Sequence, residues 1–141
     1  MRALLDVNVL LALFDTEHVF HERARAWLDA AIESGWASCP LTQAGFVRIL
    51  SSPRYPAGVT TTEAIGLLTA ATPDPHHEFW PDDIALTGQA IDPTRVLDPN
   101  QVTDVYLLAL AVEHGGRFVT FDRRIATIAV VGATPGHLAV L

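Results

Sequence analysis

The sequence predicts an α/β fold built on a mainly parallel sheet of four to five strands flanked by helices, the whole chain (residues 1–141) forming one domain. Two observations carry this. Short apolar runs of strand length alternate with longer stretches of helical period. Each helical stretch lies between consecutive strands, the arrangement that returns a chain to pair in parallel.

Ala3-Leu4-Leu5 reads as a buried first strand ending at Asp6. From Asn8 to Phe14 the chain is apolar and begins a helix, with Asn8 as its predicted N-cap. A second helix carries Ala24, Trp27, Leu28, Ala31 and Ile32 on one face and Arg25, Asp29 and Glu33 opposite, and Gly35 stops it. Trp36-Ala37-Ser38 is the second strand, ended by Pro40. Thr42 is the expected cap of a helix to about Leu50, with Phe46, Val47 and Leu50 as its apolar stripe. Ser51 to Gly58 is a loop, and Thr60 and Glu63 have capping-box spacing for the next helix, which Pro73 and Pro75 break. Glu78-Phe79-Trp80 is the third strand, and residues 81–100 mix one short helix with loop. Asn100 or Thr103 caps a helix to about His114 that is apolar nearly all round, hence buried. Gly115-Gly116 ends it, Arg117 to Thr120 is a strand, a short helix runs from after Asp122 to about Ala129, and Leu138-Ala139-Val140 is the last strand.

Composition narrows the function. Sixteen acids oppose nine bases for a net charge of -7, and every base is an arginine. This excludes a simple phosphate-gripping module, which advertises a basic surface, but not an enzyme that meets phosphate through a bound cation. The lone Cys39 makes no internal disulfide. An acid inside any signal-like stretch at the N-terminus, and no apolar run near the roughly 20 residues of a membrane span, predict a cytoplasmic protein.

Three aspartates stand apart. Asp6 follows the first strand and Asp122 follows the Arg117–Thr120 strand, so both lie at the carboxyl edge of the sheet, where ligands of open parallel sheets bind. Asp104 lies in the first turn of a helix running antiparallel to the strands, which brings it to the same edge. Three neighbouring carboxylates repel unless a cation neutralises them, and oxygen ligands without His or Cys point to Mg²⁺ or Mn²⁺. Such an ion activates water and stabilises phosphoryl charge, so phosphodiester hydrolysis is the natural reaction class. Singly, Asp104 also reads as an acid on a helix dipole and Asp122 as a turn residue. Asp6, among apolar neighbours, has little local reason to be there.

Leu4-Leu5-Asp6-Val7-Asn8-Val9-Leu10 resembles the opening of a PIN domain, and Thr103-Asp104 with Gly115-Gly116-Arg117-Phe118-Val119-Thr120-Phe121-Asp122 resembles its closing half. The segment from Cys39 to Arg48 is similar to the middle motif of VapC toxins of bacterial toxin–antitoxin pairs. The resemblance spans essentially the whole chain. It implies a Mg²⁺-dependent endoribonuclease, with Mn²⁺ as substitute, a VapB-like antitoxin partner, a homodimer, and a sheet ordered 3-2-1-4-5. By motif, Asp6 and Asp104 are the principal metal ligands, Asp122 is the third acid, Asn8 orients Asp6, and Thr120 supports the site. Arg48 stands where the family often has an arginine, and meets RNA phosphate or pairs with an acid. Arg123 and Arg124 are the candidate basic pair toward RNA.

The chain departs from the family at Gln43, where PIN domains commonly carry an acid; an amide accepts a hydrogen bond but brings no charge. Asp82, Asp83 and Asp98 are loop acids that either compensate or are simply solvated. One rival reading is therefore a weakened PIN-like module that binds RNA or a protein. Another is a phosphatase of the haloacid dehalogenase type, which wants a second acid where Asn8 stands and usually a lysine, and this chain has none. His18, His21, His76 and His77 read as surface residues, Trp27, Trp36 and Trp80 as core or dimer contacts, and Cys39 as a small buried hydrophobe.

Overall fold

A computed structural model describes Met1 to Leu141. Five strands, β1 (Ala3–Leu5), β2 (Trp36–Ser38), β3 (His77–Phe79), β4 (Arg117–Thr120) and β5 (Leu138–Val140), form one sheet in the order β3-β2-β1-β4-β5. Every pairing is parallel, with Leu4 opposite both Ala37 and Phe118. The helices are α1 (Val7–Phe14), α2 (His21–Ala31), α3 (Pro40–Leu50), α4 (Thr61–Ala71) and α5 (Val102–Glu113).

Strand alternation divides the core in two. Leu4, Ala37 and Phe118 point to one face and pack with α5 and the segments before and after it. Ala3, Leu5, Trp36 and Val119 point to the other and pack with α1, α3 and α4. The largely apolar α5 is buried as its sequence requires, with Val105 and Leu107 to Ala111 inside. Gly35, which turns the chain into β2, has φ +78, and an added Cβ would stand 2.8 Å from the His76 carbonyl. Trp36, Trp80 and Cys39 are buried.

The elements stand where the residue pattern puts them, with local corrections. The cap of α1 is Asp6, not Asn8, because the Asp6 carboxylate accepts from the Val7 N–H at 2.7 Å while Asn8 lies inside the first turn. Cys39 caps α3, and Thr42 reaches back to the Cys39 N–H at 3.0 Å as the third residue of the helix. Gln101 precedes α5, since Asp98 and Pro99 spend Asn100 on a 3₁₀ turn (Pro99–Gln101). The third strand starts one residue earlier than expected. Residues 81–100 hold no α-helix; a 3₁₀ turn stands at Pro93–Arg95 and a second, Pro99–Gln101, runs out of the segment into α5. In place of the helix expected from Asp122 to about Ala129 there is a 3₁₀ turn, Thr127–Ala129, because Val130 bridges to Ile91 and the neighbouring backbone bonds to Ala90 and Asp92. The Thr60–Glu63 capping box forms as expected.

Candidate metal centre at the carboxyl edge

The β1–α1 junction builds the first acid. As N-cap, Asp6 is extended and only 7% exposed, one carboxylate oxygen taking the Val7 N–H and the other the Thr120 hydroxyl at 2.6 Å. Burial pushes its carboxyl above the usual range, against these two hydrogen bonds, and the charge of Asp122 adds to the rise.

Thr120, the last residue of β4, is the hub. Its hydroxyl donates to Asp6 and accepts from the Asn8 side-chain amide at 3.2 Å and the Asp122 N–H at 3.1 Å. The Asn8 amide oxygen in turn accepts from the Phe121 N–H at 3.4 Å. Asn8 therefore acts on Asp6 largely through Thr120, and the proton directions along this chain are determined by donors that have no other choice.

Asp104 is the third residue of α5. Its carboxyl is pushed up to about 6, first by burial, then by the charges of Asp6 and Asp122, with no hydrogen bond or opposite charge to offset them. Asp122 is better supplied: its carboxylate accepts the Arg124 N–H at 2.8 Å and faces the Arg124 guanidinium at 3.5 Å. The Gln101 amide donates to the Arg124 carbonyl, tying this loop to the start of α5.

The three acids thus share one electrostatic site, although no three acid, imidazole or thiol side chains converge closely enough to enclose an ion unaided. The donor set fits a hard divalent cation held by one or two carboxylates and completed by water. A PIN-domain profile matches residues 3–131. The chain belongs to the PIN-domain family. It is 61% identical over 142 residues to Ribonuclease VapC44 of Mycobacterium tuberculosis (strain H37Rv), covering 100% of both chains. It is 48% identical over 135 residues to Ribonuclease VapC39 of the same strain, covering 94% of this chain and 96% of that one. Ribonuclease VapC38 is 42% identical over 128 residues, covering 90% and 89%.

Within this PIN fold the remaining predicted residues separate. Gln43 sits in the first turn of α3, but its amide donates to the Ser38 hydroxyl at 2.9 Å. Ser38 bonds His77 Nε2 at 2.8 Å, and His77 Nδ1 faces the Thr72 carbonyl at 3.0 Å. Since a carbonyl only accepts, Nδ1 carries the proton, Nε2 accepts from Ser38, and Ser38 accepts from Gln43. Residue spacing misses Ser38 and His77; His77 is no mere surface residue, its ring packing against Trp36 at a tilt with centroids 4.3 Å apart and burial holding it below its ordinary range. Arg48 lies farther along α3, lining a groove of about 910 Å³ against α4. Arg123 is exposed and forms no ion pair. Asp83 pairs with His114, and Asp98 caps its own turn.

Proposed function

We propose that this chain works as one domain, a metal-dependent endoribonuclease toxin of a type II toxin–antitoxin pair. The observation that carries the reading is Asp104, a part-buried carboxylate with no partner beside two further acids. That arrangement is costly until a cation neutralises it. Asp6 and Asp104 are the ligands and Asp122 completes the acidic wall, with Mg²⁺ as the fitting ion and Mn²⁺ as its substitute. When bound, the ion activates water and stabilises charge on a phosphoryl oxygen. Thr120 and Asn8 hold Asp6 in position, and Arg123 faces the RNA backbone; Arg124 serves Asp122 first. Gln43, committed to Ser38, supports α3 rather than adding charge.

The relatives' names and the motif resemblance support an RNA substrate, a VapB-like antitoxin, a homodimer and a cytoplasmic setting. No helix is long and apolar enough to cross a membrane. The test is cleavage of a mixed pool of structured and single-stranded RNAs with Mg²⁺ or Mn²⁺, with chelator, and with Asp104→Asn. Cutting is expected only with metal, and the variant loses more than about 100-fold, beyond the loss typical of outer-shell changes. Undiminished cutting in chelator would sink the metal reading. A folded protein that neither cuts RNA nor takes up Mn²⁺ would favour the weakened module, for which Gln43 in place of an acid is the motivating feature.

A further inference from the structure

Next to the acidic edge stands an aromatic pair that this chemistry leaves unused. Phe121, between Thr120 and Asp122, stacks on Phe20 with ring centroids 4.8 Å apart at 29°. Phe20 ends the α1–α2 loop and is 37% exposed, beside Val19 at 84%. The Arg23 guanidinium stands 5.4 Å from the Phe20 ring centroid, and the His18 ring 5.9 Å. Arg23 is exposed and forms no ion pair in a chain with 16 acids.

The loop carrying Phe20 is fastened at several points. Asp15 accepts from the Glu17 N–H at 3.0 Å and from the Tyr55 hydroxyl at 2.8 Å. His18 Nδ1 accepts from the Phe20 N–H at 3.0 Å, and His21 Nδ1 meets the Ala12 carbonyl at 2.7 Å. Phe121 is fastened too, by its N–H to Asn8. Packing alone accounts for the ring pair, but it does not call for a ring left over one-third open with an unpaired arginine against it. A part-exposed ring, an exposed arginine over it with no carboxylate partner, and a backing ring (Phe121) one residue from Asp122 match one ligand chemistry: an unpaired nucleobase followed by its phosphate.

We propose that Phe20, backed by Phe121, is a stacking platform for a single-stranded RNA base beside the acidic edge, the base taking the place of the Arg23 guanidinium that lies over the ring and leaving Arg23 to meet the adjoining phosphate. The proposal rests on the ribonuclease reading above. Stacking accepts any base, so the platform contributes affinity rather than sequence choice.

The test is fluorescence anisotropy in chelator, where no metal-dependent cutting intervenes. Its probes are a labelled mixed-sequence single-stranded RNA and an abasic ribose-phosphate oligomer of equal length. Phe20→Ala is expected to weaken binding of the RNA about tenfold and leave the abasic oligomer unchanged. Phe20→Trp retains RNA affinity, and since it keeps an aromatic in the same contact it separates stacking from misfolding. Arg23→Gln weakens both oligomers and lowers the salt slope by about 0.7. In steady-state cleavage with Mg²⁺, Phe20→Ala raises KM and spares kcat. Unchanged RNA affinity in Phe20→Ala, or equal loss on both oligomers, would overturn the platform and return the patch to protein contact; so would a wild-type protein that binds neither. Base-dependent binding lost in Phe20→Ala, without cleavage in Mg²⁺, would keep the platform and remove the nuclease.

Discussion

The Thr120 hydroxyl has three neighbours and no spare capacity: it donates to Asp6 at 2.6 Å while accepting from Asn8 and the Asp122 N–H. Valine has nearly its shape and none of its hydrogen bonds, leaving a buried carboxylate short of a donor and two donors short of an acceptor. Thr120→Val is expected to cost roughly 1–3 kcal/mol, read from urea unfolding of metal-free protein, with Thr120→Ser recovering most of it. A loss in the serine variant as large as in the valine variant would mean that the methyl, not the hydroxyl, matters here. The placing of the three acids at one edge was legible in the sequence because strand ends and a helix start are marked by apolar runs, whereas Thr120 came only from the PIN-domain resemblance. The Gln43–Ser38–His77 chain was not: its members lie on α3, β2 and β3, and hydrogen-bond direction leaves no periodic trace.

Helix packing turns identical substitutions into opposite ones. Gly45 lies on α3 where it crosses α1, and an added Cβ would sit 2.6 Å from a Val7 methyl. That methyl belongs to a β-branched side chain with few rotamers to retreat into. Gly66 lies on exposed α4 with nothing within 4 Å. By helix propensity both should gain from alanine. Gly66→Ala is expected to stabilise by about 0.5–1 kcal/mol, while Gly45→Ala loses about 1–3 kcal/mol to overpacking. Thermal melts of the two variants decide it, and a gain in Gly45→Ala would show that α1 and α3 separate freely. The same distinction explains which elements were readable. The inner strands and the largely apolar α5 follow from burial, which composition records. The caps of α1, α3 and α5 did not, because Asp6 and Asn8, or Cys39 and Thr42, are neighbours with competing claims that only the chain's path resolves. Residues 123 to about 129 read as a helix because nothing local announces that Val130 will bridge to Ile91.

At the scale of the whole molecule the acidic edge carries an electrostatic cost. With its carboxyl raised to about 6 from an ordinary 3.8, Asp104 keeps its proton in the folded chain after the unfolded chain has released it. The folded state therefore binds more protons between about pH 4 and 6, and stability falls as pH rises through that window. His77 acts in the opposite sense: burial depresses it, so below 6.5 the unfolded chain gains a proton that the folded chain resists, and acid costs stability. The two effects overlap, so the quantity to measure is the difference between wild type and Asp104→Asn in metal-free buffer. Asp104→Asn is expected to melt higher than wild type at pH 7 and to converge with it toward pH 4. Mn²⁺ at about 100 times its Kd should stabilise wild type by about 2.7 kcal/mol at pH 7 and the variant far less. A variant that melts lower than wild type at pH 7 without metal would mean that Asp104 stabilises the fold rather than straining it. The unpaired carboxylate would then no longer be a reason to place a cation at this edge.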